Sequence, residues 1–183
     1  VRSTNKGDYY PWLAESFKVA DDYSSIIFHL RKNVKFHDGS LLTAEVAKWN
    51  LDKWITAKRQ PDWKSVDILD EYTIRLNIKD WKNTVMYRLI SGTWMVSKAA
   101  YDKHGVDWIK ANPVGCGPFK FVSFGKDTKL KTQKFKDYWQ KDKPYLDGYE
   151  KIYVKDQTTR KAVMQAGEGD IISVEPGKQA YDM

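Results

Sequence analysis

The chain has 183 residues, of which 42% are hydrophobic and 30% charged, with a formal net charge of +7. That leaves room for one large domain or two small ones, in a globular rather than a disordered chain. No run approaches the roughly 18 apolar residues of a membrane span, and the single cysteine, Cys116, excludes an intrachain disulfide.

The opening Val1-Arg2-Ser3-Thr4-Asn5 has no apolar core of a signal peptide, so a processed product or a fragment is expected. Trp12 to Leu30 reads as a β-hairpin: Phe17 and Val19 alternate with Ser16 and Lys18, and Asp21-Asp22 signals the turn. Asp38-Gly39 marks a second turn. Thr43 is placed as a helix N-cap with Glu45 in the first turn. Ala47, Leu51, Trp54 and Ile55 then give one apolar helix face, ending near Lys58 and before Pro61. Val66 to Leu69 is a short strand and Asp70-Glu71 a turn. Tyr72, Ile74, Leu76 and Ile78 alternate strictly with Thr73, Arg75, Asn77 and Lys79, which predicts a half-buried antiparallel strand. A helix over Thr84 to Ile90 is broken by Ser91-Gly92-Thr93.

Asn112 to Phe121 reads NPVGCGPFKF. Its prolines and glycines cannot sit inside a helix or a central strand, so a tightly turned loop delivers the chain into a strand. Strands are expected near Phe119 to Phe124, Lys129 to Lys134 and Lys151 to Val154. Thr158 to Ala166 reads as a helix capped by Thr158, with Ala162, Val163 and Ala166 inward and Gly167 and Gly169 closing it. Ile171-Ile172 starts one more apolar run.

Lys126 to Lys143 holds seven lysines against three aspartates, so 7 − 3 = +4 of the charge lies there. Lys129 and Lys131 flank Leu130 as the solvated face of a strand would. The rival is a nucleic-acid or anionic-surface module, but the clustered aromatic and glycine signatures of an RRM are absent.

No catalytic constellation stands out. His29, His37 and His104 lack metal-ligand spacing and read as structural. There is no GxSxG elbow, Walker A loop or GxGxxG. Gly115-Cys116-Gly117 is followed at once by Pro118, where a phosphate loop needs free amides. Cys116 reads as a small buried residue rather than a reactive thiol. No cofactor and no metal site is expected. The surplus is aromatic, with eight Trp and eleven Tyr. Trp63, after Pro61-Asp62, and Trp94, after Gly92-Thr93, fall in predicted loops. Aromatics so placed either anchor packing or line small-molecule clefts.

Several segments together resemble family 5 extracellular solute-binding proteins, the peptide- and nickel-type receptors of ABC importers. They are Trp12 to Phe17, Phe28 to Arg31, Val34 to Gly39, Leu42 to Glu45, Asn112 to Gly115 with Gly117 to Phe119, Asp137 to Trp139, Lys143 to Asp147, Thr158 to Arg160, and Gln165 to Glu168 with Asp170-Ile171. Three departures stand out: Cys116 where threonine is usual, Phe135-Lys136 in place of Asn-Pro, and no arginine between Ser91 and Trp94, where nickel-type members carry one.

The resemblance implies an α/β fold of the periplasmic-binding-protein type II class, a mixed sheet with flanking helices, present here in part. Residues 1–95 would form an inserted small subdomain and 96–183 part of the first main lobe, with the second lobe absent. It implies capture of oligopeptides or dipeptides and docking on an ABC permease. The alternative is a nickel, metal-chelate or other small-solute receptor. It implies no enzyme activity and no nucleic-acid partner. The protein would be an extracytoplasmic monomer, held to membrane only by a lipid anchor outside this chain. Trp63 and Trp94 are the residues expected to line the ligand cleft.

Overall fold

The structure is a computed structural model and describes residues 1–173. Its chain groups into two compact units, one of Val1–Phe121 with Lys134–Tyr145 and the other of Val122–Gln133 with Leu146–Met183.

The first unit opens with strands β1 (Arg2–Ser3) and β2 (Tyr9–Tyr10), paired antiparallel. The hairpin β3 (Ala14–Val19) and β4 (Ser25–Leu30) follows, then helix α1 (Ala44–Thr56), strands β5 (Trp63–Asp70) and β6 (Thr73–Ile78), and helices α2 (Thr84–Ser91), α3 (Lys98–His104) and α4 (Val106–Ala111). The main sheet is antiparallel in the order β3-β4-β6-β5. Its register sets Ile26 opposite Leu76, Phe28 opposite Ile74 and Val66 opposite Leu76, so the alternating apolar residues fall on one face. Helix α1 packs over that face. Ala47 and Leu51 from α1 join Ile26, Phe28, Ile74, Leu76 and Val66 in the core. Burying each large aliphatic or aromatic side chain stabilises by roughly 1.5–3 kcal/mol. Thr43 caps α1 as expected, its Oγ1 accepting from the Val46 amide at 3.4 Å.

Between β4 and α1 the chain makes a small closed loop. Lys35 bridges Leu41, and the Phe36 amide donates to the Ser40 carbonyl at 2.7 Å. Val34 and Phe36 point fully into the core from this loop.

The second unit carries most of a three-stranded sheet in the order β7 (Phe119–Gly125), β8 (Lys129–Lys134) and β9 (Gly148–Ile152), followed by helix α5 (Gln157–Gln165). β9 lies upstream of the expected Lys151 to Val154. Two forces set it there. Glu150 stands opposite Lys131 and accepts ion pairs from Lys129 at 2.8 Å and Lys131 at 3.1 Å. At Gly148 any Cβ would lie 2.4 Å from the Thr132 carbonyl oxygen, so only glycine lets the strand begin there. The lysines thus stand on a solvated strand face, as the Lys-Leu-Lys pattern suggested.

Helix α5 begins one residue before Thr158. Its cap is Asp156, whose Oδ1 accepts from the Thr159 amide and hydroxyl, both at 2.7 Å. None of its residues is buried, so the inner face expected of Ala162, Val163 and Ala166 is not a core face. Ile171 is 93% exposed and belongs to no strand. Helices α3 and α4 fill a stretch for which the sequence pattern had suggested nothing.

Candidate functional site: a strap bearing an exposed tryptophan

Between α2 and α3 the chain runs through Gly92, Thr93, Trp94, Met95, Val96 and Ser97 as an irregular strap. Its backbone is tied at each end and along its length. At the α2 end the Gly92 amide donates to the Arg88 carbonyl at 3.3 Å, and the Thr93 hydroxyl donates to the Leu89 carbonyl. These bonds satisfy carbonyls that a helix C-terminus leaves free. At the α3 end Ser97 is wholly buried. Its amide donates to the Val114 carbonyl at 2.9 Å, its hydroxyl donates to Asp38, and its Oγ accepts from the Ala100 amide at 3.0 Å to cap α3.

The loop Asn112 to Pro118 lies alongside this strap. Gly115 comes so close that an added Cβ would sit 3.8 Å from the Met95 carbonyl oxygen and 3.8 Å from the His37 ring. His37 locks the loop by three bonds. Its amide donates to the Gly115 carbonyl at 2.8 Å, its Nδ1 accepts from the Gly115 amide at 3.3 Å, and its Nε2 donates to the Gly117 carbonyl at 3.0 Å. This pattern requires the neutral imidazole with its proton on Nε2. Burial holds His37 below the ordinary imidazole value of 6.5, with Lys120 acting the same way and the Gly117 carbonyl and Asp38 opposing. Burial alone would raise Asp38, but hydrogen bonds from Ser97 and Ser40 hold it below the usual carboxylate range.

Trp94 stands out of this fixed backbone with 74% of its surface exposed. Tyr87, on α2, is also exposed. A solvent-facing indole carried on a fixed backbone offers an apolar face, a π-cloud for a cation and an N–H donor. Trp63 is placed differently. It is the first residue of β5 rather than a loop residue, is 3% exposed, and its indole N–H has no hydrogen-bond partner among the described residues.

The remaining sequence candidates have structural partners. His29 Nδ1 lies 3.1 Å from the Thr73 hydroxyl, and the His104 ring stacks on Trp108 at 4.1 Å. Cys116 is buried, and burial pushes its thiol up to about 12, far from a reactive thiolate. Among the described residues no three His, Cys, Asp or Glu side chains gather as a metal site. No described helix is long and apolar enough to cross a membrane.

One residue of this site has no clear signal in the sequence. Asn50 of α1 is 4% exposed and holds the backbone of Val96 from both sides. The available clue is a polar residue next to Leu51 and three residues after Ala47, on the helix face that packs inward.

Residues 8–182 match the family of bacterial extracellular solute-binding proteins, family 5, in its middle region. The glutathione-binding protein GsiB of Shigella boydii serotype 4 is 33% identical over 176 residues, covering 92% of this chain and 34% of that relative. The chain therefore spans about a third of the length of the curated relatives it matches. Among solved structures, the binding protein AgaA of A. tumefaciens R10, in complex with agropinic acid, superposes with a TM-score of 0.88 at 31% identity, covering 99% of this chain and 38% of that one. The periplasmic binding protein DppA of Helicobacter pylori, in complex with the peptide STSA, gives 0.75 at 28% identity, over 86% of this chain and 36% of that one.

Proposed function

As this chain belongs to the bacterial extracellular solute-binding proteins of family 5, we propose that it is part of the substrate-capture component of an ABC importer, with oligopeptides or dipeptides as cargo. The observation that carries this reading is Trp94, an exposed indole on a strap fixed at both ends. Such a mount suits capture. A backbone held in place before binding leaves only the side chain's own rotations to be lost on contact, so more of the contact energy is available as affinity. The peptide complex of DppA supports the choice of cargo.

The mechanism is capture and hand-over without bond making. Solute settles against the wall that includes Trp94, a second lobe closes over it, and the closed form docks on the permease. Trp63 is not part of that wall: it is packed in the core of the first unit, with too little surface to meet a solute. Residues 1–95 act as the inserted subdomain and 96–183 as part of the first lobe. Capture takes place outside the cytoplasm, in the periplasm or at the outer face of the cell membrane, and the protein works as a monomer.

A second reading, a small-solute receptor of the same family, is favoured by the close superposition on AgaA with its bound agropinic acid. A nickel-chelate cargo is less supported, because Ser91 to Trp94 offers no arginine for an anionic chelate. Native mass spectrometry of the full-length protein, presented with a mixture of short peptides, separates the readings. Retention of one or more peptides is expected. Retention of none, with binding of an opine-type or chelate solute instead, transfers the assignment to the second reading.

A further inference from the structure

Asn50 is a polar residue on the inward side of α1, where its neighbours Ala47 and Leu51 belong to the hydrophobic core. Asparagine is a poor choice for a helix interior, and a buried amide is unfavourable unless its hydrogen bonds are met. Here they are. Nδ2 donates to the Val46 carbonyl at 2.9 Å, one turn back, and to the Val96 carbonyl at 3.0 Å. Oδ1 accepts from the Val96 amide at 2.9 Å. The side chain thus brackets the backbone of Val96 as an adjacent strand would, using both of its amide protons.

Val96 lies two residues beyond Trp94. Upstream of Trp94 the backbone is fixed by the Gly92 amide and the Thr93 hydroxyl on the end of α2. Downstream, Asn50 is the first fixed point, ahead of the Ser97 amide on the Val114 carbonyl. We infer that Asn50 is a positioning residue, which sets the direction of the exposed Trp94 indole by clamping the Val96 backbone to α1. An apolar side chain at 50 would fill the same core space and leave the strap free to shift along the helix. The link to solute rests on the assignment of Trp94 to the ligand wall. The clamp itself does not.

The test uses full-length protein labelled with 5-fluorotryptophan, the Trp94 signal being identified by its loss in Trp94→Phe. Asn50→Asp keeps an acceptor for the Val96 amide but turns a carboxylate oxygen on the Val46 and Val96 carbonyls. Asn50→Leu removes the bracket altogether. Thr93→Val loosens the strap from its other end and leaves the core untouched, so it serves if the Asn50 variants fold poorly. Expected are an altered or broadened Trp94 fluorine signal, with Trp12 and Trp139 unmoved, and Val96 amide exchange faster by about tenfold or more in the Asn50 variants. With the short-peptide mixture kept well below saturation, occupancy is expected to fall about tenfold, equivalent to about 1.4 kcal/mol. An unchanged Trp94 signal in folded Asn50→Asp and Asn50→Leu overturns the positioning role, whatever the occupancy. A changed signal with occupancy that neither these variants nor Trp94→Phe alter supports the clamp and overturns the placing of Trp94 in the ligand wall.

Discussion

Replacing Phe36 by alanine is expected to destabilise the first compact unit by about 3–5 kcal/mol, the range for deleting a buried phenyl ring. Phe36 has no exposed surface and belongs to the central apolar cluster with Val34, Leu42 and Leu76. It projects from a loop whose ends are already tied by the Lys35–Leu41 bridge and by the Phe36 amide on Ser40. A loop so fixed cannot collapse into the space left behind, which puts the cost near the upper part of the range. Natural domains hold about 5–15 kcal/mol in total, so the variant should lose a large share of its stability and unfold at a clearly lower urea concentration. Urea unfolding followed by tryptophan fluorescence reads this directly. A loss below about 1.5 kcal/mol would show that Phe36 is not packed as described.

The second large effect concerns His37. Substitution by leucine leaves the Gly115 amide and the Gly117 carbonyl without the imidazole partners they now have. Both groups are half-buried, so each loses a hydrogen bond worth about 0.5–1.5 kcal/mol, with an added desolvation cost where water does not replace the ring. The same site gives a pH dependence whose sign follows from the lowered imidazole value. Above the ordinary 6.5 neither folded nor unfolded His37 holds the extra proton, and the latch contributes in full. As pH falls below that value the unfolded chain takes up the proton first, and stability drops until the folded value is passed. A protonated ring cannot accept at Nδ1, so the bond from the Gly115 amide is lost. Melting midpoints of the wild type should fall between pH 7.5 and 5.5 by more than those of His37→Gln. Equal shifts in the two proteins would remove His37 as the cause.

Much of the first unit was readable from pattern alone, because its elements bury one face each. The alternation through Tyr72 to Lys79 gave β6, and Thr43 with the Ala47-Leu51 spacing gave α1, since local preference and core packing agree there. β9 was misplaced because what fixes it is non-local. Glu150 finds two lysines on the neighbouring strand, and Gly148 yields to a carbonyl on Thr132, neither of which shows as apolar periodicity. Asp156 outcompeted Thr158 as the cap of α5 because its carboxylate reaches both the amide and the hydroxyl of Thr159. The site was legible only in part. A tryptophan after Gly92-Thr93 could be read as a loop aromatic, and it is exposed. Trp63 after Pro61-Asp62 gave the same local signal, yet it starts a strand and is buried. Local sequence does not distinguish these outcomes, because pairing with β6 decides the first residue of β5. Asn50 and His37 owe their places to partners 46 and 78 residues away, beyond any window of periodicity.

Calorimetric titration of the full-length protein with the peptide it retains most tightly, in wild-type and Trp94→Ala forms, tests capture at this site most directly. Trp94 is no part of the core cluster of this chain, so its removal should leave both forms folded, which their melting curves check. Binding should weaken by about 2 kcal/mol or more, roughly thirtyfold in Kd, as for an anchoring tryptophan. Equal affinity in the two proteins, with both fully folded, would contradict the account.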